Sequence, residues 1–159
     1  MSDARWLDVD VDIATAVRHF ENAIALSGTG GFDGVGLDRY RAEMALMHAM
    51  QSAHTATEAG LLRILRIFDE ERPTGDDWHA RLIDRLARVV EGQHARPALL
   101  TPAAAADLHE TRSFRHRVMH SYGQFNLQRS APALAAADRL ASALPGLVAT
   151  FKQATDPAH

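Results

Sequence analysis

A chain of 159 residues, 47% hydrophobic and 23% charged, is long enough for one domain with a core and too short to expect two. With no cysteine it has no disulfide framework and no thiolate nucleophile or metal ligand. A formal charge of −3 argues against coating nucleic acid by bulk electrostatics, yet the distribution is uneven. Residues 1–40 carry seven acids against Arg5, Arg18 and Arg39, while Arg112 to His120 holds three arginines, two histidines and no acid. A local anion site therefore stays open on an acidic protein.

The opening "MSDARWLDVDVDIATAV" is acidic where a secretory signal is basic, and no apolar run approaches membrane-spanning length. The expectation is a soluble cytoplasmic protein. Ile13, Val17, Phe20 and Ile24 predict a first helix from about Val9 to Leu26. It stops at "SGTGGFDGVG", which holds five of the ten glycines. A phosphate-cradling loop needs a preceding strand or a Gly-Lys-Ser/Thr start to the next helix, so residues 27–37 read as a flexible connector.

A second helix is predicted from about Asp38 to Glu70, with the stripe Tyr40, Met44, Met47, Gln51, His54, Glu58, Leu61, Leu65 and Phe68. Gln51, His54 and Glu58 on a core-facing stripe must be paired or face a cleft, because burying them unpaired is costly. A third helix begins near Asp77 as N-cap, with Leu82, Ile83, Leu86, Val89 and Val90 as its apolar face and Gly92 as its stop. "HARPALLTP" reads as a linker, and Thr101-Pro102 as a cap followed by proline in the first turn. The fourth helix runs from Pro102 to about Ser121, with Gly123 as its stop. The fifth runs from about Pro132 to Gln153, bent or broken at Pro145. The fold class is all-α, a bundle of four main helices and a shorter one, in a single domain over 1–159 with a disordered tail from about 155.

The fourth helix carries "FRHRVMHSY", Phe114 to Tyr122. With Phe114 at zero and about 100° per residue, Val118, Tyr122, Leu108 and Met119 define an apolar arc from about 40° to 140°. Arg115 lands inside that arc at about 100°, whereas His116 and His120 lie at about 200° and 240°. An arginine on the buried side asks for an anion, a second protein surface or a snorkelling stem. Arg115 and His120 do not share one face, so a joint site needs the helix to end nearby or a twofold copy to bring groups together. His116 and His120 have zinc-ligand spacing, but no acid nearby completes a shell, and no metal is expected. Histidine and arginine without metal suit RNA cleavage: histidine moves the 2′-hydroxyl proton, and arginine neutralises charge on the phosphorane.

Arg115, four residues, His120, one residue and Tyr122 resemble the R-x4-H-x-Y signature of the HEPN superfamily, specifically its HepT-like toxins. "DDWHARLIDRLA" at Asp76–Ala87, "RPALLTP" at Arg96–Pro102 and "FRHRVMHSYGQFNL" at Phe114–Leu127 resemble successive landmarks of one HepT-like subfamily. "EAGLLRIL" at Glu58–Leu65 is similar less specifically, and His116 stands where the common HepT motif has asparagine. The resemblance implies an all-α bundle dimerising through the motif helix. It implies metal-independent endoribonuclease activity without a cofactor, with Arg115 and His120 as the catalytic pair and His116 and Tyr122 in support. It implies, as partner, an MNT-type nucleotidyltransferase antitoxin that transfers AMP to Tyr122. Glu58, His54, Arg112 and Arg117 are auxiliary candidates, and Asn126 and Arg129 are candidates for contact with RNA or partner. Trp78 and His79 are landmarks without an evident chemical role. The alternatives are a noncatalytic HEPN-like module that binds a nucleotide or protein, and a helical bundle whose basic stretch is a solvated face.

Overall fold

Asp3 starts the first helix. Its carboxylate accepts from the Arg5 amide at 2.9 Å, which caps α1 (Ala4–Gly28) and begins it five residues earlier than the hydrophobic spacing suggests. A computed structural model describes residues 3–120 and 125–156, without the side chains of residues 115 and 118–120. The predicted stop at Gly123 and the end of the predicted tail, residues 157–159, lie outside the described residues. Along α1, Trp6, Val9, Ile13, Ala16, Phe20 and Ala23 recur every three or four positions and are buried. In the connector, Gly31 has φ +92°, and a Cβ there would stand 3.2 Å from the Ala42 Cβ. Conformation and space both call for glycine.

α2 (Leu37–Ile67) departs from the predicted stripe in its first half. Tyr40 and Met44 are exposed, Met47 and Gln51 are half-buried, and Leu46, Ala49, Met50 and Ala53 take the core positions. From His54 onward the stripe holds: His54, Glu58, Leu61 and Leu65 are buried. α1 approaches tightly at Gly60, where a Cβ would lie 3.2 Å from Ile13 Cδ1. α2 ends at Ile67 because Asp69 adopts φ +54° and the Glu70 amide donates back to the Leu65 carbonyl at 2.9 Å.

α3 (Trp78–Leu86) is shorter than predicted, and Val89, placed on its apolar face, is exposed. The returning chain takes over its terminal carbonyls. The Leu99 and Leu100 amides donate to the Leu86 carbonyl at 2.9 and 3.0 Å, and Val90 and Arg96 exchange a pair of backbone bonds. The supposed linker is therefore a built segment. Arg96 is buried and all its guanidinium donors are used: Nε and Nη2 grip the Glu70 carboxylate, Nη2 also donates to the Arg85 carbonyl, and Nη1 to those of Arg88 and Pro97.

Thr101 caps α4 (Pro102–His120) as expected, its hydroxyl accepting from the Ala104 amide at 3.1 Å. A 3-10 turn, Gln128–Ser130, leads into α5 (Ala131–Thr155), which runs unbroken through Pro145. Pro145 and Gly146 are exposed, so the carbonyl that proline deprives of a donor lies on the side open to water. Each long helix packs on two others in the ring α2–α1–α5–α4, and α3 straps the seam between α2 and α4. Polar side-chain pairs cross the junctions, among them Arg63 to Asp12 at 2.7 Å, Arg139 to Asp107 at 2.8 Å, and His109 to Asp84 at 2.8 Å. The described residues form an all-helical bundle, and no helix among them is long and apolar enough to cross a membrane.

Candidate functional site

α4 is helical without interruption from its Thr101 cap through His120. Positions 115 and 120 therefore sit on one helix, about 140° apart around its axis. The side chains of Arg115 and His120, and the whole of Tyr122, lie outside the described residues. Of the flanking residues, Phe114 is buried in the core, His116 and Arg117 are exposed, and Arg112 is half-buried. Arg117 pairs with Glu110 at 3.4 Å. Position 115 continues the register of two buried residues, Leu108 and Thr111, at spacings of seven and four.

His54 and Glu58, predicted as auxiliary residues, lie beside the first half of α4 and form a buried network with two residues the sequence did not connect to them. The Thr111 hydroxyl donates to the Leu108 carbonyl at 3.1 Å. Its lone pair then accepts from Nδ1–H of His54 at 2.9 Å, a tautomer assigned from the bonding pattern. Nε2 of His54 faces Glu58 Oε2 at 3.6 Å, beyond hydrogen-bond length, and has no hydrogen-bond partner among the described residues. Nδ1 of His79 donates to the same carboxylate oxygen. Burial would push the Glu58 carboxyl up, but the adjacent His54 and then His79 imidazoles outweigh it and hold the carboxyl below its ordinary range.

The network joins three helices: His79 opens α3, Glu58 and His54 stand one turn apart on α2, and Thr111 stands one turn before position 115 on α4. It grips the motif helix at Thr111. The sequence singled out Glu58 and His54 because polar residues broke an apolar stripe. Thr111 gave no signal, and His79 gave only its place in a landmark. Trp78 packs against the core, with the Arg72 guanidinium 4.4 Å from its ring centroid and His79 stacked at 3.7 Å. Asn126 is engaged locally, its Oδ1 accepting from the Gln128 and Arg129 amides at 2.9 and 3.3 Å.

Past the motif, Phe125 stacks on Phe32 of the glycine-rich connector, with ring centroids 5.9 Å apart. With His54 beside Thr111 at one point and Phe32 beside Phe125 at the other, α2 and α4 run antiparallel. The motif half of α4 thus lies along the early turns of α2, where Leu37, Tyr40 and Met44 are exposed. Among the described residues, no group of three or more histidines and carboxylates is arranged to hold a metal ion.

Comparison with curated proteins and with solved structures gave no match. A family model described as HepT-like protein matches residues 45–155, which takes in most of α2, the α3 landmark, the Arg96 clasp, the motif helix and α5. On that match, over an all-helical bundle, the chain belongs to the HepT-like family of the HEPN superfamily.

Proposed function

We propose that this protein is a HepT-type toxin that cleaves RNA without a metal ion, using Arg115 and His120. The observation that carries the reading is an R-x4-H-x-Y motif inside the matched region, with positions 115 and 120 on a capped helix. His120 would take the proton from a 2′-hydroxyl; the 2′-oxygen attacks the adjacent phosphorus, and the 5′-oxygen leaves with a proton returned to it. The products are a 2′,3′-cyclic phosphate and a 5′-hydroxyl end. Arg115 would bind the phosphorane oxygens, and His116, one turn before His120, would support the site.

The unbroken helix through His120 supports a two-copy site, because one straight helix points positions 115 and 120 to different sides. A homodimer pairing two motif helices would bring Arg115 of one copy near His120 of the other. We extend the reading to a partner, an MNT-type nucleotidyltransferase acting as antitoxin. It would transfer AMP from ATP to the Tyr122 phenol oxygen with release of pyrophosphate, placing an anion where the RNA phosphate should bind. In this reading the protein acts in the cytoplasm, where its RNA substrate is.

Incubation with total RNA in the presence of a chelator tests the mechanism. The parent protein should cut RNA and leave cyclic-phosphate ends, and Arg115→Ala and His120→Ala should not. If both variants cut as well as the parent, the mechanism is wrong. If nothing cuts while nucleotide or protein binding persists, the protein is a noncatalytic module.

A further inference from the structure

Arg112 stands three positions before Arg115 on α4, and the structure leaves it incomplete. Its Nε is buried and has no hydrogen-bond partner among the described residues. Side-chain pairs along α4 engage its neighbours instead: Asp107 with Arg139, His109 with Asp84, and Glu110 with Arg117. On the helical wheel Arg112 falls at about 160°, between buried Leu108 at about 120° and buried Ala105 at about 180°. Arg112 is half-buried there, with exposed His116 one turn further along the same side.

Folded proteins seldom keep a buried donor without an acceptor, and where they do the group commonly has another use. Packing does not require this one, since methionine would fill the same channel with no polar atom to satisfy. Arg96 shows the contrast within the same chain: a structural arginine with every donor engaged. Arg112 is the opposite case, a planar donor fork at the motif with no carboxylate answering it among the described residues, and such a fork fits a phosphate.

We propose that Arg112 forms a phosphate-binding subsite beside the motif, taking a backbone phosphodiester of single-stranded RNA. The proposal rests on the nuclease reading and deepens it. Positions 112 and 115 are i and i+3 on one helix, with Cβ atoms about 5–6 Å apart. Two arginines at that spacing can hold one phosphate or neighbouring phosphates of one strand. Arg112 acts by binding and registering the strand.

The test compares the parent with Arg112→Met and Arg112→Lys. Binding of a short fluorescein-labelled 2′-O-methyl oligonucleotide, which lacks the attacking hydroxyl, is followed by anisotropy across a salt series. Arg112→Met should bind about tenfold more weakly, with the slope of log affinity against log salt reduced by about 0.7, the share of one phosphate contact on a single strand. Arg112→Lys should restore the slope but not the full affinity. The melting temperature of Arg112→Met should stay level or rise, because a buried orphan donor has been removed. Equal binding and an equal slope for Arg112→Met would overturn the proposal, as would a binding loss matched by a lower melting temperature. Dependence on Arg112 for AMP but not for the oligonucleotide would overturn it in favour of a nucleotide site. A parent that cuts RNA through Arg115 while Arg112→Met binds normally would leave the nuclease reading standing alone. Arg112-dependent binding in a parent that never cuts would keep the subsite and remove the nuclease.

Discussion

Removing the Glu58 carboxylate should loosen the seam that holds the motif helix. Glu58 is 4% exposed and accepts from His79, and His54 Nε2 faces it at 3.6 Å. A hydrogen bond to a charged group contributes about 1.5–3 kcal/mol. In Glu58→Ala the freed Nδ1–H of His79, whose side chain is 31% exposed, can turn to water, which keeps the loss near about 2 kcal/mol. For a domain of this size that is a fall of about 4–8 °C in melting temperature. Glu58→Gln keeps an acceptor for His79 and loses only the charge, so its fall should be about half as large. The sign of the pH dependence follows from the depressed carboxyl. The contribution is fully present above the unfolded-state pKa, about 4.3, and is lost as pH falls through the lower folded-state value. Thermal melts of parent and Glu58→Ala by circular dichroism should therefore differ at neutral pH and converge in acid. Equal melting at neutral pH, or a gap that survives full acidification, would refute the account of Glu58 as a charged acceptor.

Arg96→Met should cost more, about 3–5 kcal/mol, because it strips a buried arginine from Glu70 and three carbonyls at once; a chemical-denaturation midpoint measures it. Arg96→Lys should recover little of this, since an ammonium cannot reproduce the fork. Gly60→Leu should destabilise by about 1–3 kcal/mol by forcing α1 away at Ile13, read in the same denaturation series.

Much of this protein was legible in its sequence. The alanine- and leucine-rich periodicity with few strand signals determined an all-α bundle, because a stripe repeating every three to four residues can be buried only by a helix. Thr101-Pro102 announced the start of the motif helix, since a hydroxyl cap and a proline in the first turn are local chemistry. Errors arose where the deciding partner was remote. The first half of α2 has an apolar stripe in Leu37, Tyr40, Met44 and Met47, but only Met47 is even half-buried among the described residues, because the core positions there fall to Leu46, Ala49 and Met50. α3 stopped at Leu86 because amides thirteen and fourteen residues later claimed its last carbonyl. Pro145 was tolerated because its face is open.

The site divides along the same line. Arg115, His116, His120 and Tyr122 are proposed from the resemblance of their motif to the family's, which is a property of the chain alone. Sequence also showed that His54 and Glu58 were polar interruptions needing partners. Only the tertiary structure decided which partners: His79 from another helix, and Thr111 from the motif helix itself. It also distinguished two arginines that look alike in the sequence, Arg96 with its donors saturated and Arg112 with a buried donor left open. A hydrogen bond needs two groups within about 3 Å. Which distant residues come that close is settled by packing, and no pattern along the chain records it.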